Sequence, residues 1–323
     1  MGGSPVAAGD GADGGPRGPR AGRGAQLQPG CSPARRPGVP STVVVHLLVV
    51  ASVLSAAATL LIPDLLTGPP AMNGSAKGTA LVILLGGVPT LALAYRRARS
   101  GSVAASAVAT GAAAYLAYNA VLLVFATPFN RAFLLYEAML GLAIWTLACL
   151  ASEIWWCSRP QVPVPCRRAA GFVLGVVTLN VVAWLAQVVP ALLSDHPRSM
   201  MSGTGLTTNP VYVQDLAFWL PALTWVAIGM WKGHGPRTVL GAAALAYWVL
   251  ESIGVAVDQW WGHQADPTSS VVSATVVPLF LVLGAATIWP LLGVLRAVAA
   301  AAPLPRTAAG PGAESAAAGA VGR

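Results

Sequence analysis

Charge is what this chain has least of. Asp, Glu, Lys and Arg make up 9% of its 323 residues, while hydrophobic residues reach 55%. A soluble domain carries about 25% charged residues. A chain with so little polar surface cannot coat a water-soluble globule, and lipid is the solvent that suits it. Lysine is nearly missing, 2 residues against 17 arginines, which together with abundant Ala and Gly points to a GC-rich bacterial genome.

Other scarcities exclude chemistry. There are four histidines, and only His46 lies in an apolar segment; His196, His234 and His263 fall between segments. Haem held inside a helical bundle needs histidines facing one another from different helices, so a haem redox carrier is disfavoured. No H-E-x-x-H, Walker or G-x-S-x-G pattern is present, which argues against a zinc protease and an ATPase. Of four cysteines, Cys31 sits in the N-terminal tail and Cys149 in an apolar segment. Cys157 and Cys166 share one loop, nine residues apart and without a nearby His, a spacing that does not match a zinc site. The thiols read as inert, and no metal or cofactor is expected.

What the chain does have is eight apolar runs, at 43–64, 78–95, 103–126, 132–152, 169–193, 210–231, 238–259 and 271–295. Each is long enough to cross a hydrocarbon core as a helix. The sequence therefore predicts an all-α polytopic transmembrane helix bundle over residues 41–297. Residues 1–40 and 298–323, rich in Gly, Pro, Ala and Arg, have no apolar periodicity and read as disordered tails. Ser55-Ala56-Ala57-Ala58 resembles a signal-peptide cleavage region. Apolar residues continue to Leu66, however, and the first run reads as an uncleaved anchor.

The basic residues give the orientation. Sixteen of the 19 lie in the N-terminal tail, after runs two, four and six, and after run eight; Lys77, Arg131 and Arg198 are all that the other connections hold. This alternation predicts an even number of spans with both termini in the cytoplasm of a bacterial inner membrane. Trp155, Trp156 and Trp231 at one boundary, and Trp260 and Trp261 at the other, fit aromatic belts. The basic pI has the same cause as the loop bias, and nucleic acid is not implied. Gly171 and Gly175 form a GxxxG in run five, a pattern that permits close helix packing.

Given that topology, the acids form a layer. Glu137, Asp215 and Glu251 fall roughly 9–12 Å below the outer ends of runs four, six and seven, with Asn119 and Gln187 at a similar depth in runs three and five. Asp258 lies seven residues after Glu251, and Tyr247 four before it, on one helix face. An ionised carboxylate facing lipid costs roughly 2.5–3.5 kcal/mol on insertion scales. These acids are thus expected to face the interior, to pair, or to take up a proton. Arg131 is the one basic residue near them and can pair with one acid, so at least one of Glu137 and Glu251 is expected to hold its proton. The same residues also fit interhelical hydrogen-bond glue. Asp195, His196 and Arg198 in the 194–209 connection read as a solvated loop, with a binding lid as the other reading.

The run Thr208-Asn209-Pro210-Val211-Tyr212-Val213-Gln214-Asp215-Leu216-Ala217-Phe218-Trp219-Leu220-Pro221-Ala222 opens the sixth segment. It resembles a family of uncharacterised bacterial multi-pass integral membrane proteins, as do Tyr118-Asn119 and Phe129-Asn130-Arg131-Ala132-Phe133-Leu134-Leu135-Tyr136-Glu137. An Asn-x-x-x-x-x-Asp-Leu opening to a helix recurs in that family. The resemblance covers about residues 110–235. It implies that the outer ends of spans three, four and six are distinctive, and it carries no activity or site residue with it.

The expected function is a carrier or binding protein for a small solute, with proton linkage, in a polar outer-leaflet cavity lined by Asn119, Arg131, Glu137, Gln187, Asp215, Glu251 and Asp258. Two alternatives stay open. One is a non-catalytic membrane sensor, scaffold or assembly component with a protein partner that the sequence does not name. The other is an intramembrane enzyme on a lipid substrate, which needs two of these groups to converge on a lipid-accessible cleft.

Overall fold

A computed structural model describes residues 39–157 and 166–301. Among them every regular element is helical, and eight helices are long and apolar enough to cross a membrane. They are α1 (Val39–Leu61), α2 (Pro70–Ala98), α3 (Val103–Phe125), α4 (Phe133–Cys157), α5 (Arg167–Leu193), α6 (Pro210–Trp231), α7 (Gly235–Ala265) and α8 (Ala274–Ala300, opening with a 3-10 turn). The expected disordered tails fall almost entirely outside the described residues; at their inner edges, α1 starts at Val39 and α8 reaches Ala300.

The helix ends follow local chemistry. Ser102 caps α3 by accepting from the Ala105 N–H at 3.3 Å, and Asn209 caps α6 by accepting from Val211 at 2.9 Å. Proline stands in the first turn of α2, α6 and α7, where its missing N–H costs nothing. Two helices carry a wide turn. In α2 the Val88 N–H bonds to the Ile83 carbonyl five residues back, and in α6 the Leu220 N–H bonds to Asp215 in the same way. Each wide turn is followed at once by a proline, Pro89 or Pro221. Proline has no N–H for the carbonyl four residues before it, and its ring crowds that carbonyl, so the helix winds locally wider instead of breaking.

Two helices form the centre. The apolar windows of α3 and α7 are 72% and 67% buried, against 17% for α5 and α8. α7 packs on α2, α3, α6 and α8; α3 also packs on α2 and α4, α1 on α4, and α5 on α6. The outward faces of α1, α4, α5 and α8 are apolar and exposed, with Leu179, Leu192, Val282 and Trp289 among them. Water would penalise such a surface, and an apolar solvent would not.

Glycine sets the closest approach in the bundle. A Cβ on Gly78 would fall 2.8 Å from the Asp258 Cα and the Val257 carbonyl, and one on Gly74 would fall 2.5 Å from the Trp261 carbonyl. Gly262 faces the Ala71 carbonyl across the same seam at 2.9 Å. The α2–α7 contact is therefore backbone against backbone, the use to which a GxxxG spacing is suited. The pair singled out from the sequence does not do this: a Cβ on Gly175 would meet nothing within 4 Å, and one on Gly171 only the Trp231 ring at 3.7 Å. The seam also explains why α2 begins at Pro70, eight residues before the expected run. The stretch Pro70–Lys77 is broken by Asn73, Gly74, Ser75 and Lys77 and does not look like a span, yet it folds as helix because its small face seats on α7.

Candidate functional site

The buried polar groups lie where α3, α6 and α7 meet, toward the end of the bundle that carries the 62–69, 126–132, 194–209 and 266–273 connections, called here the long-loop end. Asn119 is 3% exposed, and its amide is divided between two helices: Nδ2 donates to the Tyr115 carbonyl at 3.0 Å and to Glu251 Oε2 at 3.0 Å. Asp215, in the wide turn of α6, accepts from Trp184 Nε1 of α5 at 2.8 Å and from the Tyr118 hydroxyl of α3. Its neighbour Gln214 accepts from Trp219 Nε1 at 3.2 Å and reaches the Tyr118 carbonyl at 3.5 Å. The two carboxylates thus have separate donors, drawn from α3 and α5.

Aromatic rings wall off this layer. Trp219 stacks on Tyr247 with centroids 5.3 Å apart, and Tyr118 packs against both rings at 6.0 and 5.9 Å. One ring comes from each of α3, α6 and α7. Such offset and tilted pairs are stable arrangements of aromatic quadrupoles. Tyr247 lies one helical turn before Glu251 on α7, and two turns beyond Glu251 along the same helix stands Asp258.

Asp258 borders a chamber. A cavity of about 170 Å³ opens at the long-loop end among α2, α3, α6 and α7. Asp258, Gln259, Thr79, Thr127 and Asn209 are its main polar lining, and Leu122, Leu123, Val211 and Val272 supply apolar wall. Among the described residues no basic side chain lines it. At roughly 30 Å³ per water, it holds about five or six waters or one small solute. Gln259 fixes the Asp258 corner, donating to Asp258 Oδ1 at 3.1 Å while its Oε1 accepts from the Ser273 N–H at 2.9 Å. Thr204 and Leu206 close the chamber from the 194–209 connection. Gly203 and Gly205 turn there at φ +78° and +70°, a conformation that favours glycine. This part of the loop is wall, whereas Asp195, His196 and Arg198 are exposed.

No family model matches the chain, and neither a curated protein nor a solved structure matches it.

The seven residues singled out from the sequence are therefore divided by the fold. Asn119 and Glu251 are bonded to each other, Asp215 lies in the same layer, and Asp258 is one of the chamber walls. Gln187 is exposed, and its Oε1 accepts from the Tyr212 hydroxyl at 2.9 Å. Glu137 and Arg131 stand apart, exposed and outside the chamber wall. The reason is helical phase. Tyr136 is fully buried and hydrogen-bonded to Thr59 at 2.7 Å, so the next residue, about 100° further round, faces outward. Trp184, Gln214, Trp219 and Gln259 belong to the site and were missed from sequence. Adjacency was the available signal, since Gln214 and Gln259 each neighbour an acid within an apolar run. Among the described residues no group of three or more His, Cys, Asp or Glu side chains is placed to hold a metal ion.

Proposed function

We propose that this chain is an inner-membrane protein with eight crossings and both termini in the cytoplasm, which binds and carries a small cationic solute through the Asp258 chamber. The alternating arginines support the orientation, and so do the exposed Trp156 and Trp231 at one end of the bundle and Trp260 and Trp261 at the other. In this orientation the chamber opens to the outer face. The observation that carries the solute reading is a chamber walled by a carboxylate, with no basic side chain among the described lining residues, set on the α7 face that also holds Glu251 seven residues away. A small cation with hydrogen-bond donors meets Asp258, the Gln259 amide and the threonine hydroxyls together. Arg131, exposed, is not assigned a role in holding an anion.

The test uses the purified protein in proteoliposomes with guanidinium, methylammonium and tetramethylammonium as probes. At least one is expected to raise the thermal midpoint and to enter vesicles, and Asp258→Asn is expected to lower both responses about tenfold. No response from wild type to any probe refutes the cation reading.

A second reading has its own support. Asp215 and Glu251 already have donors inside the protein, as interhelical glue would. Under that reading the chain is a structural or sensing component. Glu251→Gln, which keeps an acceptor for Asn119, then leaves its cellular role intact.

A further inference from the structure

Tyr115 takes no part in the binding just proposed, yet the fold makes unusual room for it. Its side chain is fully buried, and its hydroxyl has no hydrogen-bond partner among the described residues. Buried hydroxyls are nearly always paired, because leaving one unpaired gives up hydration without replacement. The placement is also specific. A Cβ on Gly87 of α2 would fall 2.8 Å from the Tyr115 ring, and one on Gly254 of α7 would fall 3.3 Å from both ring and hydroxyl. Two helices thus leave out a side chain where this ring sits.

The position of the hydroxyl gives the orphan a purpose. It lies against Gly254, three residues after Glu251 and four before Asp258. Residues 251, 254 and 258 share one face of α7, so each carboxylate stands about one turn, roughly 5 Å, along the axis from the hydroxyl. One of these acids is bonded to Asn119 in the interior, and the other opens on the chamber. Both act on the hydroxyl electrostatically, and Tyr247 is the other titratable group beside it. From α2, Gly87 meets the Tyr115 ring.

We propose that the Tyr115 hydroxyl is the middle station of a proton path between the chamber and Glu251. A water drawn from the chamber bridges Asp258 and the phenol. Asp258 gives a proton to that water, and the water passes one to a lone pair of the Tyr115 oxygen. Because the hydroxyl makes no direct hydrogen bond to Glu251, the phenol releases its own proton through a second water to that carboxylate. One proton leaves Asp258 and one arrives at Glu251; the phenol and both waters start and finish neutral, and rotation of the O–H resets the path. The proposal deepens the solute-binding reading, naming the proton as the ion that the same site couples.

The test is infrared measurement of deuterium exchange at the Glu251 carboxyl in nanodiscs, with the band assigned by its loss in Glu251→Gln. Tyr115→Phe removes only the hydroxyl and is expected to slow this exchange at least about tenfold with the thermal midpoint nearly unchanged. Asp258→Asn is expected to slow it similarly, and it replaces Tyr115→Phe should that variant not fold. Exchange at the wild-type rate in the folded variant overturns the path, as does a Glu251 carboxyl with no protonated band at any pH the protein tolerates. Solute binding is measured separately on the same samples. Slowed exchange without any bound solute keeps the path and removes the carrier, whereas solute binding with unslowed exchange does the reverse.

Discussion

Gly78→Ala adds one methyl group to the α2–α7 seam, where there is no room for it. The new carbon would sit 2.8 Å from the Asp258 Cα and the Val257 carbonyl oxygen. Unstrained carbon contacts lie at about 3.5–4.0 Å, so the helices must separate by roughly 0.7 Å or more. Both clashing atoms are backbone, so no side chain can swing aside. Overpacking of this kind costs about 1–3 kcal/mol. Alanine's better helix propensity returns about 0.5–1 kcal/mol, leaving a net loss near 1–2 kcal/mol. Gly175→Ala is the matched control, because its methyl meets nothing within 4 Å and only the propensity gain remains. The propensity gain is common to both, so the two variants should differ by the overpacking cost of about 1–3 kcal/mol, which at roughly 2–4 °C per kcal/mol separates their midpoints by about 2–12 °C. Thermal unfolding in nanodiscs, tracked by tryptophan fluorescence, measures it. Gly78→Ala melting at or above wild type would show that the backbone seam does not hold Asp258 in place, and the chamber geometry would lose its support.

Individual bonds make further outcomes measurable. Asn119→Ala removes the donor to Glu251 and leaves a buried carboxyl short of a partner; it should destabilise by about 1–3 kcal/mol, read as the shift in a denaturation midpoint. Trp184→Phe keeps the ring but deletes the 2.8 Å bond to Asp215, and a similar loss of about 1–3 kcal/mol is expected. An unchanged midpoint in either variant contradicts the interhelical role given to that bond. Burial pushes the Cys166 thiol up from its ordinary range. Because the thiolate is the reactive form, alkylation of a variant keeping only this cysteine should reach half-maximal rate at higher pH when folded than when unfolded. Coincident pH profiles would contradict that burial.

The eight helices were legible because each carries a long apolar run, much of it on the exposed apolar outer faces. Their lengths were not. α2 and α7 extend to Pro70 and Ala265, beyond the runs at 78–95 and 238–259, through residues whose polarity hides their helical state. Those extensions pack on one another, and a contact between segments nearly two hundred residues apart has no signature in either one. The acids on α3's partners could be read as one layer because depth comes from counting along a span. Azimuth does not: a bundle with exposed apolar faces on many helices gives a weak amphipathic pattern, so nothing local told Tyr136 from Glu137. Gly171/Gly175 was singled out and Gly74/Gly78 passed over for the same reason, since spacing shows that a helix has a smooth groove and not what lies in it.

The wide turn of α6 has a consequence for how chain length varies. A five-residue turn at Asp215–Trp219 is an ordinary helix holding one residue too many. Deleting a residue there, together with replacement of Pro221, restores regular winding while Leu220–Trp231 keeps its neighbours. A deletion in Val103–Phe125 would instead turn the rest of that helix by about 100°. Chains sharing this architecture are therefore expected to gain and lose single helical residues at 215–219 and 83–87, and an ungapped alignment across either turn would match an inward-facing side chain with an outward-facing one.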